Sequence, residues 1–169
     1  MQLSSRMGGA FLALAVGDAL GAPLEFLRPD IAKQRFGRLT EMVGNSTWAP
    51  GEWTDDTAMA LGVARGILAS ASGEDEIEKT GEEFLLWAPT AKDVGSTISA
   101  AIRGFGSTND WFEASRNTPQ ALSGSAAGNG SLMRILPVAL AFSDRGEMLR
   151  HSASVKHFAG FRKGSEHIN

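Results

Sequence analysis

The chain has 169 residues, 43% of them hydrophobic and 21% charged, which fits one globular domain with a substantial core and argues against a disordered chain. A formal net charge of −3 gives no electrostatic reason to expect nucleic acid or an anionic membrane surface, and neither is expected as a partner. With no cysteine there is no disulfide and no thiolate metal site, which is compatible with the cytoplasmic localisation expected here.

Arg6 followed by the apolar run Met7 to Val16 has the outline of a short signal-peptide core. Asp18 interrupts it and the apolar pattern resumes at Ala19, Leu20 and Leu24, so no cleaved signal is expected. No stretch reaches the roughly 18 uninterrupted apolar residues needed to span a bilayer. Met7 to Gly21 is nearly apolar all round, which predicts a buried central helix ended by Pro23. Gly9, Ala13, Gly17 and Gly21 form one small-residue stripe along it, suited to close backbone packing or to ligand approach.

Arg28 to Pro50 lacks periodicity and reads as a loop with short turns. Ala58 to Leu68 reads as helix, Glu74 to Trp87 as an amphipathic helix stopped by Pro89, and Ser96 to Phe105 as a further short one. Leu132 to Leu140 reads better as helix than strand despite Pro137. There is no tyrosine, no sustained alternation and no hairpin pair, so the fold class is all-α.

Three segments carry candidate chemistry. In Gly51-Glu-Trp-Thr-Asp-Asp-Thr-Ala-Met-Ala-Leu61, Thr54 is a good N-cap, and Asp55 and Asp56 fall in the first turn, where the helix dipole favours negative charge. Capping needs only one side chain, while two adjacent carboxylates repel. A hard cation such as Mg²⁺ relieves that repulsion, so a helix start and a metal site both remain open. Glu25 follows the first helix beside Leu24, Phe26 and Leu27, surroundings that raise a carboxyl pKa if the group is buried; a surface position is the commoner alternative. In Gly124-Ser-Ala-Ala-Gly-Asn-Gly-Ser-Leu-Met-Arg134 the glycines free backbone N–H groups ahead of a helix start. Asn129 offers a donor and an acceptor, and Ser131 a helix cap. A flexible connector explains the same glycines.

Taken in order, Gly17-Asp-Ala-Leu-Gly-Ala-Pro-Leu-Glu25, Trp53-Thr-Asp-Asp-Thr-Ala-Met59 and Gly128-Asn-Gly-Ser-Leu-Met-Arg134 resemble the ADP-ribosylglycohydrolase family. Asp93-Val-Gly-Ser-Thr97 and Ser154-Val-Lys-His157 are weaker echoes of it. The resemblance covers roughly Arg6 to His157 and implies an ADP-ribosylglycohydrolase-like helical domain over 1–157, with a tail, 158–169, that does not resemble the family. It implies a hydrolase that cleaves the glycosidic bond between ADP-ribose and a protein side chain or small molecule, using two Mg²⁺ or Mn²⁺ ions. Thr54, Asp55 and Asp56 are then metal ligands, and Glu25 is the catalytic carboxylate. Gly128, Asn129, Gly130 and Ser131 surround the distal ribose and diphosphate, and His157 lines the pocket. Arg134 is expected to be structural.

The family continues with a Gly-Asp-Thr-Asp-Thr-like segment that completes the metal pair. After Arg134 the acidic side chains are Asp144, Glu147 and Glu166, none adjacent to another and none beside a threonine. The expectation is therefore the N-terminal half of such an enzyme, ended by truncation, a split gene or a frameshift. The alternative function is a catalytically inactive ADP-ribose-binding fragment or one half of a two-chain enzyme, with a second chain as partner.

Overall fold

In the computed structural model the described residues, 2–71, 75–121, 130–156 and 158, form helices and connecting turns with no strand among them. The all-α expectation holds. The chain divides into two compact units, 1–57 and 58–169.

The first unit opens with α1, Leu3–Gly21, followed by a 3-10 turn, Ala22–Leu24, that buries Ala22 and Pro23. Pro23 has no N–H to continue the α-helical ladder, so the sequence reading of this end is correct. The reading of α1 as a buried helix is not. Its one buried residue is Ala19, while Leu3 and Leu12 are 71% and 65% exposed. An all-round apolar helix signals burial only where chain is present to cover it, and a Cβ added at Gly8, Gly9, Gly17 or Gly21 meets nothing within 4 Å. Residues 3–24 are also long and apolar enough to cross a membrane, by length and composition alone. The count of uninterrupted apolar residues missed this, because Asp18 breaks the run.

A second helix, α2, Pro29–Phe36, lies in the stretch expected to be loop. Its ends are well signalled: Pro29 stands at the start, Asp30 in the first turn, Lys33 and Arg35 in the last, and Gly37 follows at φ 61°. It buries no residue, so it has no apolar period to read.

The second unit takes up α3, Asp55–Ser70, from Ala58 onward. It continues through α4, Glu76–Trp87, α5, Ser96–Thr108, and α6, Trp111–Ala121. After the undescribed segment come α7, Gly130–Met133, α8, Leu136–Ala141, and α9, Arg145–Lys156. The single helix expected over 132–140 is two, and Pro137 sits in the first turn of the second. The core joins Met59, Val63 and Ile67 of α3 to Phe84, Ile98, Trp111, Val138 and Val155. Phe158 packs edge-to-face on Phe84 and Trp111, with ring centroids 4.9 and 5.1 Å apart.

Two glycines let helices of this unit approach closely. A Cβ at Gly66 would lie 2.0 Å from Thr80 Oγ1, and one at Gly81 would lie 2.1 Å from Trp111 Nε1. Arg134 is 1% exposed; its Nη2 donates to the Val155 carbonyl at 3.4 Å and its guanidinium lies 5.6 Å from the centre of the Phe84 ring. That is the structural role expected of it.

Gly81→Ala forces the Trp111 indole to shift. Overpacking of this kind costs about 1–3 kcal/mol, enough to outweigh a helix-propensity gain of about 1 kcal/mol. Gly106 of α5 faces open space, so Gly106→Ala keeps the propensity gain without the clash. Urea denaturation is expected to place the first variant below the parent and the second at or above it.

Candidate functional site

The first unit carries the site. The loop leading into it is set by short-range bonds: Asn45 Oδ1 accepts from the amides of Thr47 and Trp48, each at 2.8 Å, and the Asn45 amide donates to the Trp48 carbonyl at 2.9 Å. Gly44 is required here, since a Cβ on it would stand 2.7 Å from that carbonyl. Glu52 Oε2 accepts from the Ala49 amide at 2.8 Å, and Gly51 turns the chain at φ 81°. These bonds deliver Thr54 to the first turn of α3.

Thr54 caps that turn, its Oγ1 accepting from the Asp56 amide at 3.3 Å. Sequence reasoning missed the carboxylate that organises it. Asp18, in the last turn of α1, accepts from the Thr54 amide at 3.1 Å to each oxygen and from Thr54 Oγ1 at 2.8 Å. It also accepts from the Thr57 amide at 3.0 Å and from Thr57 Oγ1 at 2.6 Å. Helix starts leave amides without intrahelical partners and carry positive dipole charge, so an anion satisfies them twice over.

Beside this junction is a cleft of about 550 Å³ lined by Ala13, Leu14, Gly17, Gly21, Ala22 and Leu24 on one side and by Asp18, Glu25, Thr54 and Asp56 as its polar groups. The small-residue stripe of α1 thus forms part of a ligand-sized wall. Asp56 is half-buried, and its carboxyl pKa is raised above the ordinary 3.8, first by desolvation and second by the negative charge of Asp18. Asp55 is buried and is not among the lining residues. Glu25 is exposed on the cleft's rim. It takes the surface position that was the commoner of its two sequence readings, with Phe26 beside it turning outward at φ 61° and 90% exposed.

Neither Gly130 nor Ser131 is among the residues that line this cleft. Gly130 and Ser131 open α7 in the second unit, with Ser131 inside the helix rather than at its cap. Gly128, Asn129 and His157 lie outside the described residues. Among the described residues no group of three or more His, Cys, Asp or Glu side chains is placed to hold a metal.

The sequence profile of the ADP-ribosylglycohydrolase family matches residues 1–159. The chain belongs to the ADP-ribosylglycohydrolase family. It is 41% identical over 137 residues to an ADP-ribosyl-[dinitrogen reductase] glycohydrolase of Rhodospirillum rubrum, covering 79% of this chain and 43% of that protein. It is 30% identical to an ADP-ribosylarginine hydrolase Tri1 of Pseudomonas putida, covering 97% of this chain and 42% of that one. A solved ADP-ribosylglycohydrolase-related protein complex superimposes with a TM-score of 0.70 at 33% identity, over 92% of this chain and 49% of the other. The chain spans a little under half the length of the curated relatives it matches.

The raised Asp56 pKa fixes a pH dependence. The unfolded chain releases this proton first, so as pH climbs from 3.8 towards the folded value the folded state holds more protons and loses stability. Asp56→Asn is therefore expected to be more stable than the parent at pH 7 without divalent cations, and to lose that advantage below about pH 4. Urea midpoints in chelator at the two pH values check it; an advantage that persists in acid contradicts it.

Proposed function

We propose that this member of the ADP-ribosylglycohydrolase family takes part in hydrolysing the bond between ADP-ribose and a modified side chain, arginine being the first acceptor to test. The chain would supply part of a divalent-cation site and one wall of the substrate cleft. The observation that carries the reading is the convergence of Thr54 and Asp56 with Asp18 and Glu25 on one ligand-sized cleft at a helix start. Its support from relatives is that two of them are named for ADP-ribosyl-dinitrogen-reductase and ADP-ribosylarginine hydrolysis.

The donor chemistry fits Mg²⁺ or Mn²⁺. Thr54, Asp55 and Asp56 offer only oxygen, on rigid helical backbone, and two adjacent carboxylates gain from a cation between them. Thr54 and Asp56 are the cleft-facing pair, with Asp55 the adjoining carboxylate. When bound, such an ion supplies Lewis acidity toward water and sugar hydroxyls. Glu25, on the rim, is the group to take a proton from water as the water oxygen bonds to the anomeric carbon and the bond to the leaving nitrogen breaks. The departing nitrogen takes up that proton, which returns Glu25 to its carboxylate form. Backbone amides from Gly128 to Ser131, together with His157, are the proposed holders of the diphosphate and ribose.

The chain spans 43% of the length of its Rhodospirillum rubrum relative, so the rest of the site would come from the remaining length of such a protein, in the same polypeptide or, as the sequence also left open, in a second one. Mn²⁺ is then expected to bind the 169-residue chain in the sub-millimolar to millimolar range, and Asp55→Asn with Asp56→Asn to abolish that binding. Release of ADP-ribose from an ADP-ribosylarginine peptide is expected to be negligible for the chain alone and restored by a polypeptide matching the remaining length of the relatives. Vigorous release by the chain alone, or none from the assembled pair, overturns this account.

A further inference from the structure

We infer, resting on the cation reading above, that Asp18 is the positioning residue of the cation site. It orients the Thr54 oxygen and is itself neither a ligand nor only a helix anchor. The argument is a count of protons and lone pairs. An ionised carboxylate has about four acceptor sites. Those of Asp18 are taken by four donors, the amides and hydroxyls of Thr54 and Thr57, at 2.6 to 3.1 Å. It has no acceptor site left over for an ion unless it lets a threonine go.

A threonine hydroxyl carries one proton. That of Thr54 points to Asp18 Oδ1, so its oxygen shows only lone pairs elsewhere. One direction meets the Asp56 amide at 3.3 Å, and the cleft lies on the open side, since Thr54 is a lining residue. An oxygen whose proton is already committed accepts an electrophile and cannot donate to one. A negative charge behind the proton makes that oxygen a better donor of electron density, as carboxylates behind ligating groups do. The residue that sets this is 36 positions away in sequence, on a different helix.

Thr57 separates positioning from anchoring. It is 2% exposed, bonds the same carboxylate, and is not among the cleft-lining residues. Loss of its hydroxyl weakens the junction without touching Thr54.

The test uses the whole chain and Mn²⁺ as the probe. Asp18→Asn puts an amide N–H₂ where threonine protons must be accepted, and is expected to weaken Mn²⁺ binding by about 10- to 100-fold, the range for lost outer-shell partners. Thr57→Val is expected to lower the thermal midpoint but to change Mn²⁺ affinity by less than about threefold, as befits a residue outside the ligand's orientation. Equal affinity losses in the two variants, or none in Asp18→Asn, make Asp18 an anchor only and overturn the inference while leaving the cation reading intact. No Mn²⁺ binding by the unaltered chain overturns both.

Amide hydrogen exchange covers the case in which Asp18→Asn does not fold. With saturating Mg²⁺ on the unaltered chain, the Thr54 and Thr57 amides are expected to stay as protected as before. Loss of their protection means that Asp18 leaves the threonines to ligate the ion, which overturns the inference.

Discussion

The first unit depends on one carboxylate placed inside an apolar helix. Desolvating a charged group without partners costs several kcal/mol, whereas hydrogen bonds to a charged group return about 1.5–3 kcal/mol each. Asp18 receives four donors from the start of α3, with the helix dipole adding to them. The cleft follows from this junction. Gly17 and Gly21 flank Asp18 on α1 without side chains, so the wall beside the bonded carboxylate stays open and Thr54 and Asp56 line what remains of it.

The same charge has a cost at its neighbour. Burial is the larger cause of the raised Asp56 pKa, and the field by which Asp18 attracts N–H and O–H groups of that turn adds to it. The junction is therefore strained electrostatically in a way that capping does not explain. A cap needs one acceptor near the first amides, and Thr54 already supplies one to Asp56. Asp56, a further carboxylate at the same helix start, has its ionised form disfavoured there by burial and by Asp18. Function commonly accounts for a local cost of that kind.

The legible parts of the chain were those written in local chemistry. Pro23 and Pro89 mark helix ends, and Thr54 caps α3, because each acts on backbone within a turn of itself. The starts of α6 and α9 were marked equally well, by Asp110 accepting from Phe112 and Glu113 and by Asp144 accepting from Glu147, but neither helix was read. Like those two helices, α2 is signalled by its ends and not by an apolar period, since it buries no residue. Burial of α1 was misread because hydropathy records what a helix can bury and not what is there to bury it. Asp18 was quoted in a motif and treated as an interruption of an apolar run. Its partners lie 36 and 39 residues away, a pairing that no spacing rule can show.

On the cation reading proposed above, the donor arrangement also bears on which ion would suit the site. Ca²⁺ takes 6 to 8 oxygens from flexible loops, whereas Mg²⁺ keeps several waters and is held through one or two carboxylates. Thr54, Asp55 and Asp56 belong to consecutive positions at the start of a regular helix, and Thr54 is fixed further by two bonds from its own amide and one from its hydroxyl to Asp18. Few donors on stiff backbone cannot wrap an ion, but they can hold one face of it. The remaining positions would go to water and to substrate hydroxyls, which is the division of ligands that a hydrolytic site needs, since only an exchangeable position admits the reacting groups. On that reading the rigidity that Asp18 imposes and the small number of protein oxygens would work in the same direction, toward a small, partly hydrated ion.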